Sequence, residues 1–381
     1  MQKNLKASQS PLLVANLKGS SLVGSTFVFL LGLSLIGPAP VHAGGQFYTV
    51  GSPTGSTATL GLSADGSVAV GVSDGVAWRW SIGGGYEALT RPDFRNTFHA
   101  AVSADGLTVV SSLVNPDSGY NEAARWSPGN GWQFLGGLPE GQSLDSQLSS
   151  SWAVSGDGSA VVGLAWLPNG RAEAFQYTDA DGMVGLIGGL PADSSRASNV
   201  SADGSTIVGW YGGTQDGQRF DRRPTRWTNG GDADLFLGHV LGEATATTSD
   251  GSYIVGGAIP PDAFDQRAFI YSDATGWNSL GVLDPGSVFQ RSFANAVSDT
   301  GVVVGWSGDL LGFGTPPTGF VWTADDGMVS IFDYLTNHGV TVPSDYPTIA
   351  SVTCISADGR VLGGQATNSS GNIAWVAVLQ P

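Results

Sequence analysis

Seven times along the chain, Ser-x-Asp-Gly or a close variant precedes a short apolar run that mostly ends in glycine. The copies start at Ser63, Ser103, Ser155, Ser201, Thr248, Ser298 and Ser356. The mean interval between positions 63 and 356 is about 49 residues, the length of one four-stranded propeller blade. Asp-Gly is a strong hairpin signal, because glycine accepts the positive φ of a tight turn. Each interval reads as four strands. Strand a is short and small-sided, as in Ala100-Ala101-Val102-Ser103. Strand b is a continuous apolar run such as Ala160-Val161-Val162, as expected where both faces of a sheet are covered. Strand c carries aromatics (Ala77-Trp78-Arg79-Trp80, Gly319-Phe320-Val321-Trp322), and strand d follows a glycine turn, as in Trp277-Asn278-Ser279-Leu280-Gly281.

The ends choose between a linear array and a closed ring. After Trp375 the seventh repeat lacks a strand d, while Gln46-Phe47-Tyr48-Thr49-Val50, ahead of the first repeat, reads as that strand. A solenoid would need caps, whereas a ring needs two complementary fragments and loses its sheet edges. The expectation is an all-β, seven-bladed β-propeller over 44–381, its last blade closed by an N-terminal strand.

The repeats, Ala-x-x-Val-Ser-x-Asp-Gly-x-x-Val-Val-Gly followed by Ala-Phe-x-Trp/Tyr, resemble the bacterial HAF family of extracellular repeat proteins over nearly all of 44–381. The chain departs from that pattern in places. It has Glu173-Ala174-Phe175 and Arg267-Ala268-Phe269 in place of His-Ala-Phe, Thr300 in place of Asp, and Ser111 in place of Gly. The resemblance implies an exported repeat domain and carries over no catalytic residue and no defined ligand.

Residues 1–43 agree with export. Lys3, Lys6 and Lys18 precede an apolar run from Leu22 to Ile36 and a small-residue stretch ending at Ala43. This reads as a signal peptide cleaved after Ala43, leaving a secreted or periplasmic protein without stable membrane insertion. The rival reading, a retained anchor, needs a longer apolar span. Beyond residue 43 there is no lysine, and 13 Arg face 32 Asp and Glu, an excess of 19 negative charges. That charge repels phosphate backbones and excludes a general nucleic-acid binder.

Candidate chemistry is sparse. Cys354 is the only cysteine and occupies an alanine-like position of an inner strand, so an inert thiol is expected. His99, His239 and His338 fall in different repeats, with His99 placed to face a central channel and His338 ending a helical turn that begins near Ile331. The repeated Asp reads as turn chemistry. The acidic c–d turns (178–182 and 323–327) lack a full calcium-loop pattern, so no metal and no cofactor are expected. Nine arginines fall in the apparent b–c and d–a connections: Arg91, Arg95, Arg171, Arg196, Arg219, Arg222, Arg223, Arg267 and Arg291. Arg79, Arg125 and Arg226 instead repeat one strand-c position, where packing on a neighbouring aromatic is the better reading.

The cluster Arg219, Arg222 and Arg223, beside Trp210 and Tyr211 in the long connection 210–224, mixes guanidinium forks with aromatic faces. That mixture suits a sugar bearing carboxylate or sulfate. It equally suits internal salt bridging to the many nearby acids. The functional expectation is a monomeric binding module for an acidic polysaccharide or a cell-surface partner, without catalysis. Two alternatives stay open: a polysaccharide lyase or glycoside hydrolase on the same scaffold, and a purely structural envelope protein.

Overall fold

The computed structural model describes residues 44–380, apart from 51–56, 90–98, 142, 146, 187–191, 216–217, 229–231, 235–240, 261–263, 288, 311–313 and 370. The leader-like segment 1–43, Arg91, Arg95 and His239 therefore lie outside the described residues. Seven four-stranded antiparallel sheets follow one another along the chain, one per repeat. Blades 1 to 6 occupy 57–88, 100–134, 149–185, 192–234, 242–281 and 291–330 in a-b-c-d order. Blade 7 supplies Thr348–Ile355, Val361–Asn368 and Gly371–Val378, and its outer strand is Gln46–Val50. That strand pairs from Gln46 opposite Val378 to Val50 opposite Ala374. Phe47 stacks on the fully buried Trp375 at 5.4 Å, and Thr49 hydrogen-bonds the Tyr346 hydroxyl at 2.6 Å. The ring closes as the two chain ends predict.

The glycine that ends each strand b has a specific cause. In six blades strand a carries a β-bulge three residues before the turn serine, at Leu60, Trp152, Ser198, Thr245, Asn295 and Thr353. The bulge brings the carbonyl of the residue two earlier down onto strand b. A β-carbon at Gly71, Gly163, Gly209, Gly256, Gly305 or Gly364 would overlap the carbonyl oxygen of Ala58, Ser150, Arg196, Glu243, Phe293 or Ser351 respectively. Blade 2 is the control. Among the described residues its strand a has no bulge, and there strand b tolerates Ser111, which donates to the His99 carbonyl at 2.6 Å. Five of these glycines lie opposite the strand-c aromatics Trp78, Phe175, Phe269, Phe320 and Trp375, all fully buried, whereas Gly209 lies opposite Thr225 and Ser111 opposite Ala124. A missing side chain on strand b thus makes room for a ring on strand c.

The turns join the blades. Ser63 donates to Asp65 at 2.7 Å and accepts from the Val68 amide at 3.0 Å, while Asp65 accepts from the Ser67 amide at 2.9 Å. The pattern recurs at Ser103, Ser155, Ser201, Thr248 and Ser356. The repeated Asp thus spends its carboxylate on its own turn. Those bonds hold Asp203, the most shifted, at a pKa of about 2, with the Ser205 amide the leading cause. The residue between Ser and Asp reaches the next blade. The Ala64 amide donates to Ala104, Ala104 to Gly156, Ala202 to Ser249, Asp299 to Ala357 and Ala357 back to Ala64, at 2.8–3.0 Å. The Ser249 amide meets the Asp299 side chain at 2.8 Å. This girdle narrows the channel at the turn rim.

The core lies between blades. The largest buried cluster joins Val304 and Val321 of blade 6 to Val352, Leu362 and Trp375 of blade 7, roofed by the helix Ile331–Asn337. Ser330 caps that helix, His338 ends it and Gly339 turns the chain away at φ +71°, as the sequence suggests. Arg125 bonds Asp179 of the next blade at 2.7 Å and lies 5.8 Å from the Tyr177 ring; Arg226 repeats this with Asp273 at 3.0 Å and Tyr271 at 5.9 Å.

Two outcomes follow from this packing. Removing residues 44–50 uncovers Trp375 and one edge of blade 7, and forfeits the apolar burial of Phe47 and Val50, roughly 1.5–3 kcal/mol each. Thermal unfolding should then fall by about 5 °C or more with increased aggregation; a truncated protein as stable as its parent would mean that closure contributes nothing. The turn glycines all have φ between +69° and +82°, so Gly301→Ala, with open space at its β-carbon, should cost about 1 kcal/mol. Gly66→Ala, whose β-carbon would collide with Val361 of blade 7, should cost about 1–3 kcal/mol more in urea unfolding.

Candidate ligand-binding site at the channel mouth

The inner strands surround a cavity of about 490 Å³. Its wall is built in layers set by distance from the turn serines. Aliphatic Leu62, Val102, Val297 and Ile355 lie deepest, one residue before the turn. The bulged residues come next, and several tie neighbouring blades together. Thr245 donates to the Ala294 carbonyl at 2.7 Å, Asn295 to Val352 at 2.8 Å, and Thr353 to Thr59. Five residues before the turn serine, at the b–c and d–a rim, consecutive blades 4, 5 and 6 present Arg196, Glu243 and Phe293.

Around Arg196 the rings and guanidiniums form a continuous stack. The His99 ring lies 4.7 Å from Trp152, Arg196 sits 3.9 Å over Trp152 and 5.9 Å from Trp210, and Arg222 caps Trp210 at 4.6 Å. Glu243 closes the stack from the next blade, bonding Arg196 at 3.0 Å and Arg222 at 3.3 Å. One carboxylate therefore serves two guanidiniums. Burial lowers the His99 pKa to about 4, so its ring is neutral at neutral pH, with Nε2 donating to the Trp152 carbonyl at 2.6 Å. The cluster keeps one positive charge in excess, on a domain with 19 surplus negative charges. Arg222 is the accessible cation, its side chain 54% exposed against 14% for Arg196.

The structure brings together only part of the sequence-derived cluster. The connection 210–224 is not a loop: strands Thr206–Gln215 and Gln218–Thr228 continue into one long hairpin. Arg196 likewise lies within the strand Ala192–Val200, directly opposite Trp210. Alternation along the hairpin separates neighbours. Arg222 and Trp210 face the mouth, whereas Arg223 is 4% exposed and pairs in register with Tyr211, itself packed with Ile207 and Trp227. Arg219 is in register with Thr214, and its side chain lies outside the described residues. Trp152, Glu243 and Phe293 escaped the sequence reading. Their signal was available, since Arg196 and Glu243 hold equivalent positions in adjacent repeats and a propeller sets such positions side by side. Cys354 lines the channel wall, where burial pushes its thiol to a pKa of about 12. Among the described residues, no group of three or more His, Cys, Asp and Glu could hold a metal ion.

No family model and no curated protein matches this sequence. Solved structures do. The β-propeller domain of the Trilobed protease from Pyrococcus furiosus, described as having an open velcro topology, aligns with a TM-score of 0.58 at 10% identity, covering 85% of this chain and 95% of that one. Putative TolB from Agrobacterium tumefaciens aligns with a TM-score of 0.44 at 17% identity, over 59% of this chain and 80% of that one. TolB from Acinetobacter baumannii gives 0.42 at 11% identity, over 85% and 63%. At these identities the protease domain supports the propeller fold alone. Unlike the open arrangement ascribed to it, the present ring is closed by Gln46–Val50.

The shared carboxylate sets an order of energies. Glu243→Gln leaves the mostly buried Arg196 guanidinium facing Arg222 without a counter-charge, and should cost about 2 kcal/mol in urea unfolding. Arg222→Gln breaks only a half-exposed pair and should cost less than about 1 kcal/mol. Equal costs would show that Glu243 does not hold the stack together.

Proposed function

We propose that the chain is an extracytoplasmic binding propeller that takes an acidic glycan at the open mouth of its channel. The observation that carries this reading is the Arg222 guanidinium stacked on Trp210, half-exposed, which among the described residues is opposed by the carboxylate it shares with Arg196. An exposed ion pair contributes little, so a ligand carboxylate or sulfate displaces Glu243 from Arg222 at small cost, while Arg196 keeps its own bond to Glu243. The planar fork then pairs bidentately with the incoming acid. The Phe293 side chain supplies apolar surface for a pyranose ring within the same cavity, while Trp152 holds Arg196 in place within the stack. Export is supported by the leader-like residues 1–43 and by the resemblance to HAF repeats. Among the described residues, no helix is long and apolar enough to cross a membrane.

The reading is tested by titration calorimetry of residues 44–381 with oligogalacturonates, heparin fragments and neutral malto-oligosaccharides at two salt concentrations. The acidic ligands should bind with Kd in the micromolar to millimolar range, about −8 to −4 kcal/mol, and more weakly at higher salt. Arg222→Lys should weaken them several-fold although charge is kept. Equal binding of neutral sugars, or full binding by Arg222→Lys, overturns it. Appearance of new reducing or unsaturated ends would assign a depolymerase instead.

A further inference from the structure

We propose that the central channel is a blind socket that receives one end of the glycan chain, so that the protein recognises chain termini rather than internal segments; this rests on the acidic-glycan reading above. Three observations converge on it. First, the channel is constricted at one rim. The turn-to-turn hydrogen bonds from Ala64 through Ala104 to Gly156, and from Ala357 back to Ala64, draw neighbouring turns together backbone to backbone. A β-carbon at Gly156 would lie 2.8 Å from the Ala202 methyl and 3.3 Å from that of Ala104, so little more than a hydrogen fits there. Among the described residues the cavity lining stops at the aliphatic layer before the turns. On this proposal the rim does not pass a polymer.

Second, the socket has the size and chemistry of a sugar site. Its volume of about 490 Å³ lies inside the ~300–1,000 Å³ range of small-molecule pockets. Phe293 stands near the mouth with Arg196, Trp152 lies in the next layer with Ser198 and Asn295, which offer hydroxyl and amide groups, and the floor is aliphatic apart from Thr247. An apolar face for ring carbons and polar groups for hydroxyls are what a pyranose requires.

Third, a further hollow of about 340 Å³ adjoins the cavity, sharing Glu243 with it. Arg222 and Glu243 bound this hollow, and beyond them lie Arg291 and the fully exposed Phe264. A chain whose last unit sits in the socket leaves across Arg222 and meets outside it the Arg291 guanidinium, paired with Asp265 at 3.5 Å, and the Phe264 ring. An internal segment would have to fold back and leave the same mouth twice.

The experiment titrates the wild-type domain with oligogalacturonates of four, eight and sixteen units, each free, blocked at the reducing end, blocked at the non-reducing end, and blocked at both by a bulky aromatic tag. One protein should bind per chain at every length. A tag on one end should weaken binding at least tenfold, a tag on the other should change it less than twofold, and chains blocked at both ends should match the weaker form. Leu62→Trp, which fills the floor, should reduce binding of free chains at least tenfold while the melting temperature stays within a few degrees of wild type. Binding of doubly blocked chains at full affinity, or stoichiometry rising with length, overturns the socket while leaving the acidic-glycan reading intact. Absence of binding by every acidic chain overturns both.

Discussion

The propeller depends on one close approach repeated in six blades: a strand-a carbonyl resting on a strand-b glycine. Everything near the axis follows from it. The bulge that lowers the carbonyl adds one extra residue to strand a, and in five of the six blades the absent side chain admits an aromatic ring from strand c. Blade 2 shows the coupling by breaking it. With no bulge among its described residues, it carries Ser111 in place of glycine and Ala124 in place of an aromatic. Two sequence departures that look independent, Ser111 and Ala124, accompany one missing bulge.

Two girdles then turn seven sheets into one ring. The lower girdle is backbone-to-backbone at the turns, and the upper one uses the bulged Thr245, Asn295 and Thr353 to reach the next blade's carbonyls. Both act between adjacent blades and so fix the spacing of the blades around the channel. Five residues above each turn the repeats carry different side chains: Ala58, Ser150, Arg196, Glu243, Phe293 and Ser351. Uniform chemistry holds the ring closed at one rim, and varied chemistry accumulates at the other.

Electrostatics at the mouth runs against the rest of the surface. Arg125 and Arg226 each meet a carboxylate of the next blade on the strand-c face. At the mouth, by contrast, Glu243 is divided between Arg196 and Arg222. The buried guanidinium has the shorter bond, and the exposed one is left the weaker share. An acid arriving from solvent therefore meets the partner with least to lose.

The sequence by itself determined the architecture. The Ser-x-Asp-Gly period counts the blades, and the missing last strand with its counterpart at Phe47 closes the ring, because hairpin turns and strand complementarity are local and additive properties. The helix ending at His338 and the strand-c arginines were legible for the same reason. What only the tertiary structure decided is which side chains meet. Residues 210–224 read as a loop because arginines, aromatics and a proline interrupt its alternation, yet pairing with Ala192–Val200 carries it on as a hairpin and sends Arg223 and Tyr211 inward while Arg222 and Trp210 face the mouth. Trp152, Arg196 and Glu243 belong to three different repeats, about 45 residues apart in sequence. Only closure of the ring brings them within bonding distance, because propeller geometry converts equivalent positions in successive repeats into neighbours around one axis.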